Sequence, residues 1–160
     1  KWNFINYKPG LVGGHCLPVD PYYFASFAKK LGLDTKIILA GRKTNNEMVK
    51  YAKSIILKKI KNYELKPKKL RVLILGLTYK KNVADLRNSL SIKVYQSLKK
   101  TFKRLSCYDP MIDQTFKKKY SLINKSDIKK FDIYIILTKH DSFKIDLKSI
   151  KRKAIIDIFS

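Results

Sequence analysis

The stretch Leu70-Arg71-Val72-Leu73-Ile74-Leu75-Gly76-Leu77-Thr78 decides the fold. A short apolar-rich run that stops at a glycine has the composition of a strand buried on both faces, as in a parallel sheet. Comparable runs recur downstream: Arg104 to Tyr108, ending at Asp109-Pro110, then Ile133 to Leu137, then Ala154 to Phe159. Helical patterns fit between them at Ser89 to Phe102, near Ser126 to Lys130 and near Asp146 to Lys151. Strand and helix therefore alternate. The expected class is α/β, a parallel sheet with helices on both faces, and in such sheets ligands bind beyond the carboxyl ends of the strands.

Upstream of this block the rhythm is different. The polar, proline-containing Glu64-Leu65-Lys66-Pro67-Lys68-Lys69 breaks the pattern and marks a boundary between residues 1–66 and 67–160. From about Thr35 to Asn62, Ile38, Met48, Tyr51, Ala52, Ile55, Ile56 and Ile60 recur at helical spacing with lysines opposite, which predicts one long amphipathic helix or two in succession. A shorter helix is expected over Tyr22 to Leu31, starting past Pro21 and stopping at Gly32.

Before that helix, Pro9-Gly10-Leu11-Val12-Gly13-Gly14-His15-Cys16-Leu17-Pro18-Val19-Asp20-Pro21 sets a cysteine on a glycine-rich turn, with a carboxylate four residues on. Glycines at 10, 13 and 14 let a ligand approach main-chain N–H groups, and the prolines stiffen the segment. The thiol is a candidate nucleophile. The plainer alternative is an inert cysteine in an ordinary turn.

A second candidate is the segment Gly76 to Ser89, which leaves the first strand and leads into a helix capped near Asn88 or Ser89. Lys80, Lys81 and Arg87 beside a helix N-terminus suit phosphate groups, although a strand-to-helix connection with solvated lysines accounts for them equally. It is not a dinucleotide fingerprint, because only Gly76 stands where G-x-G-x-x-G needs three glycines.

Composition narrows the setting. The 160 residues carry 36 lysines and arginines against 12 acids, a net charge of +24. Lysine supplies most of that charge and is scattered along every segment, so a solvated basic surface is favoured over specific nucleic-acid binding. Cys16 and Cys107 lie far apart in unlike surroundings, which points to a reducing, cytoplasmic setting and not to a disulfide framework. No apolar run approaches the length of a membrane span, and no signal peptide is expected. Because the chain opens on Lys1 in mid-pattern, it reads as a piece of a longer protein.

Lys1-Trp2-Asn3-Phe4, the whole of Pro9 to Tyr23, Ala40-Gly41-Arg42 with Asn45 and Met48, Gly76 to Ser89, and Tyr108-Asp109-Pro110 follow one another in this order. In this the chain resembles the back part of the UDP-glucose/GDP-mannose dehydrogenase family, and most closely the branch that oxidises UDP-N-acetylhexosamines. The resemblance implies the end of a central helical dimerisation domain with the cysteine loop, followed by a Rossmann-like UDP-sugar-binding domain. It also implies oxidation of the sugar C6 hydroxymethyl group to a carboxylate with NAD as cofactor, in surface polysaccharide biosynthesis.

Carried over by resemblance, Cys16 is the nucleophile that forms a thiohemiacetal and then a thioester, and Asp20 manages protons or positions water. Gly13 and Gly14 approach the UDP-sugar, Lys80 reaches it, and Arg87 reaches across to NAD. His15 is expected to be loop structure, and no metal is implied. The long helix over 35–62 is expected to support a homodimer. The family's amino-terminal NAD-binding region and its oxyanion residues have no counterpart in these 160 residues, so the polypeptide alone is expected to be inactive. A non-catalytic UDP-sugar-binding module, and a basic nucleic-acid-binding protein, are the alternatives.

Overall fold

The computed structural model describes residues 10–61, 69–143, 150 and 155–158. The helix expected near Asp146 to Lys151, the opening Lys1-Trp2-Asn3-Phe4 and most of the predicted domain boundary lie outside the described residues. The chain begins with two helices, α1 (Cys16–Lys30) and α2 (Lys36–Ile60). There follow β1 (Arg71–Leu75), α3 (Leu90–Lys99), β2 (Arg104–Tyr108), the short α4 (Lys117–Tyr120), β3 (Ile133–Ile136) and β4 (Ile155–Asp157). Two 3-10 turns, Gln114–Phe116 and Lys125–Lys130, complete the elements.

The sheet is parallel throughout, in the order β2-β1-β3-β4. Val72 stands opposite Leu105 on one side and Ile133 on the other, and Ile74 opposite Cys107 and Ile135. Because β1 is central, Val72 to Leu75 are buried on both faces, which is why the run carries no polar alternation. One face packs Val72, Ile74, Ile133 and Ile135 against α2 and α3. The other packs Leu73, Leu75, Tyr134 and Ile136 against Ile128 of a 3-10 turn and Phe143.

The long helix is single and runs 25 residues through Gly41. Its carboxyl half carries Ala52, Ile56 and Ile60 into the same core as the strands and α3. These stripe residues are thus covered by their own chain.

One boundary needs correction. The first helix starts at Cys16, not past Pro21, and runs through Pro18 and Pro21. Pro18 falls in the first turn, where the missing N–H has no intrahelical acceptor in any case, and Pro21 forfeits one bond to the turn before it. The helix therefore begins on the cysteine itself.

Candidate active site

The loop from Gly10 to His15 lies flush against the Gly76 to Ser89 connection, and glycine is what permits it. A Cβ on Gly13 would sit 2.7 Å from the Asn88 carbonyl oxygen, and one on Gly14 would sit 2.8 Å from the Tyr79 ring. Gly14 also has a φ of 98°, which side chains rarely tolerate. Two amides then pin the loop: Asn88 Nδ2 donates to the Gly14 carbonyl at 3.0 Å and Asn45 Nδ2 donates to the Val12 carbonyl at 2.9 Å.

This arrangement presents an exposed Cys16 at the first residue of α1. Asp20, also exposed, stands one helical turn along on the same face. In front of the loop is a cleft of about 470 Å³ lined by Gly13, Gly14, His15, Cys16, Tyr79 and Lys80 among others. Of the sequence-predicted site residues, Gly13, Gly14, Cys16 and Lys80 thus meet in one cleft. Asp20 and Arg87 lie outside its lining.

Arg87 instead turns to Asp85, with Nη2 at 2.9 Å and Nε at 3.1 Å from the carboxylate. His15 Nε2 reaches the same carboxylate at 3.0 Å. Hydrogen bonds from Arg87 hold the Asp85 carboxyl far below the usual carboxylate range, with His15 adding to the effect. The trio fastens the cysteine loop to the connection after β1, the structural use expected of His15.

Beneath Lys80 lies a buried polar network. Asp109, just past β2, accepts from the N–H groups of Leu77 at 2.7 Å, Thr78 at 3.1 Å and Met111 at 2.9 Å. His140 Nδ1 accepts from the Asn82 N–H at 2.9 Å, which assigns the ring proton to Nε2. That Nε2 lies 3.2 Å from Asp109 and 3.1 Å from Thr78 Oγ1, whose hydroxyl is 3.2 Å from the Lys80 carbonyl. Burial pushes the Asp109 carboxyl up, but the bonds from His140, Leu77 and Met111 outweigh it and leave the group below its ordinary value. These groups set the turn on which Lys80 stands. His140 was not singled out from sequence, though a Thr-Lys-His run on the end of an apolar strand was the available signal.

Among the described residues no group of His, Cys, Asp and Glu could hold a metal ion, and no helix is long and apolar enough to cross a membrane. The turn after β1 is packed closely on the end of β3: a Cβ on Gly76, whose φ is 84°, would lie 2.1 Å from the Thr138 carbonyl oxygen.

Known proteins share this organisation. Residues 73–160 match the UDP binding domain of the UDP-glucose/GDP-mannose dehydrogenase family, and residues 2–47 match its central domain. Protein CapL of Staphylococcus aureus is 38% identical, covering 89% of this chain and 34% of its own. UDP-N-acetyl-D-glucosamine 6-dehydrogenase of Salmonella typhi is 37% identical over 90% of this chain and 35% of its own. The structure of the UDP-D-ManNAc dehydrogenase from Pyrococcus horikoshii superposes with a TM-score of 0.75 at 27% identity, covering 96% of this chain and 35% of that one. The chain spans about a third of the length of the curated relatives it matches. With more than half of its residues matching the UDP binding domain and most of the remainder lying in the central domain, the chain belongs to the UDP-glucose/GDP-mannose dehydrogenase family.

Proposed function

We propose that this chain is the thiol-bearing, UDP-sugar-binding part of a nucleotide-sugar 6-dehydrogenase, an oxidoreductase that converts the C6 hydroxymethyl of a UDP-N-acetylhexosamine to a carboxylate for surface polysaccharide. The observation that carries the reading is that Cys16 and Lys80, far apart in sequence, share one cleft. A cation lining the cleft suits a diphosphate, and an exposed thiol beside it suits a sugar carbon.

In this reading the Cys16 sulfur adds to the C6 carbonyl at the aldehyde level, a C–S bond forms, and the thiol proton passes to the sugar oxygen. After oxidation to the thioester, water adds to the carbonyl, the C–S bond breaks and the thiol is regenerated. Asp20, one turn from the sulfur, takes the proton from that water. The oxidations are the chemistry of NAD. In this reading the chain makes one contact with it, through Arg87.

A non-catalytic UDP-sugar-binding role is the second reading, favoured by the match of residues 73–160 to a UDP binding domain. A homodimer belongs to the first. With Ala52, Ile56 and Ile60 covered within the chain, exposed Phe24 and Phe27 on α1, Leu31 just past its end and Ile37 at the start of α2 are apolar surface open to a second copy.

Titration of the chain with UDP-N-acetylglucosamine tests the common core of these readings. Binding is expected to weaken about tenfold in Lys80→Ala, the loss of one charge-assisted contact, and to shield Cys16 from iodoacetamide. Binding to DNA with a steep salt slope, and no response to the UDP-sugar, would overturn both. Linking the chain to the amino-terminal two-thirds of CapL and following NADH, with Cys16→Ser as control, separates enzyme from binding module.

A further inference from the structure

Arg42 projects from the amino-terminal half of α2 and is 9% exposed. Its Nε is shielded from solvent and has no hydrogen-bond partner, and among the described residues no carboxylate pairs with the guanidinium. Among the described residues it meets the Tyr22 ring, whose centre lies 6.0 Å from the guanidinium carbon. A charge held out of solvent without a counter-charge is costly.

The guanidinium lines a recess of about 210 Å³ where α1, α2 and α3 meet. Lys93, in the first turn of α3, lines it too, and so does Leu90, the first residue of that helix. The Ser89 side chain accepts from the Ile92 N–H, no acidic residue occupies the first turn of α3, and no acidic residue lines the recess. A buried guanidinium, an ammonium and a ten-residue helix presenting its N-terminus therefore converge without an anion of their own. The recess is smaller than the roughly 300–1,000 Å³ of pockets that enclose whole cofactors or drug-sized ligands. Val12, in the thiol loop, lines both this recess and the cleft that holds Cys16, and Pro18 and Val19 of α1 line the recess beside it.

We propose that this recess binds a small oxyanion, a phosphate or carboxylate group of a free metabolite, held by Arg42, Lys93 and the N-terminus of α3. An occupant there supplies the charge that Arg42 lacks and braces the Gly10 to Cys16 loop. The site shares Val12 with the UDP-sugar cleft but none of its polar side chains, and does not depend on the reading of that cleft.

The 160-residue chain is titrated with inorganic phosphate, and separately with acetate, at an ionic strength held constant with sodium chloride. Arginine Nε–H resonances and the melting temperature are followed. The Arg42 signal is expected to shift saturably, with affinity lost in Arg42→Gln, lowered about tenfold in Lys93→Gln and unchanged in Cys16→Ser. Lys43→Gln removes the same charge from an exposed neighbour on α2 and is expected to leave affinity within about twofold, as a screened surface charge should. Saturation by phosphate alone assigns a phosphate group, and saturation by both anions assigns the wider oxyanion class. Arg42→Met, which removes the unpaired charge, is expected to melt higher than the parent without phosphate and not to respond to phosphate. Shifts that fail to saturate, or equal losses in Lys43→Gln and Lys93→Gln, would mean general attraction to a basic chain and overturn the proposal. That second comparison needs no Arg42 variant to fold.

Discussion

His15 meets Asp85 at 3.0 Å on the rim of the cleft, and His140 meets Asp109 at 3.2 Å beneath it. In the first pair the histidine side chain is 41% exposed; in the second both side chains are sealed from solvent. The difference lies in what else each carboxylate serves. Asp109 ties three backbone N–H groups from the ends of β1 and β2 to His140, so its loss strands the sealed Leu77 and Thr78 donors as well as the half-buried Met111. Asp85 accepts one backbone N–H, from Arg87 two residues on, and otherwise holds two exposed side chains, Arg87 and His15, that solvent can take over. The same pair of residue types is thus a fixed joint in one place and a releasable clasp between two loops in the other.

The largest effect should come from breaking the joint. Asp109→Ala leaves Leu77, Thr78 and Met111 N–H groups without their acceptor and His140 without its partner, and should cost about 3–5 kcal/mol in urea unfolding. Asp109→Asn, which keeps an acceptor oxygen, should lose less. Equal losses in Asp109→Ala and Asp85→Ala would erase the distinction between the two pairs.

The joint was hidden from sequence because its members come from three strand ends, after β1, β2 and β3, and only the sheet order brings them together. The strands themselves could be read: Leu73 to Leu75 as an apolar run buried on both faces, and Arg104 to Tyr108, to the residue, as a short run of the edge strand closed by Asp109-Pro110. The cysteine loop could be read as a candidate nucleophile site, yet its partner Lys80 was linked to it by resemblance and not by spacing. Prolines misled the reading of α1: Pro18 and Pro21 look like stops, whereas Pro18 sits in a first turn that has no use for its N–H. That the carboxylate four residues from Cys16 shares its helix face follows only once the helix is known to start at 16. Arg42 appeared in sequence as one member of a motif, and its unpaired burial is a tertiary fact.

An intermediate effect is expected from acid. Both Asp85 and Asp109 have folded carboxyls below their ordinary value, so each contributes stability that is present above about pH 4 and lost as pH falls through its lowered folded value. The two should separate on salt. The Asp85 clasp is exposed at Arg87 and should contribute little in about 1 M salt, whereas the sealed Asp109 contribution should persist. The check is a set of unfolding curves between pH 7 and pH 3, at low and high salt, for the parent, Asp85→Asn and Asp109→Asn. Acid sensitivity that survives high salt in the parent and flattens only in Asp109→Asn sharpens the contrast. Flattening in Asp85→Asn at high salt would reverse it.

The smallest effect on stability, and the most telling for the cleft, belongs to the clasp. Asp85→Asn weakens the hold of His15 on the Gly76 to Ser89 connection while Asn88 and Asn45 still pin the loop. The fold should survive, and the loop in front of Cys16 should open more often. Iodoacetamide should then modify Cys16 severalfold faster than in the parent. Cys107 is the internal reference: it lies in β2, wholly buried, and burial pushes its thiol up, so it should stay unlabelled in both proteins until urea unfolds them. If Cys107 became reactive alongside Cys16, Asp85 would be holding the sheet as Asp109 does, and the two pairs would differ in exposure alone.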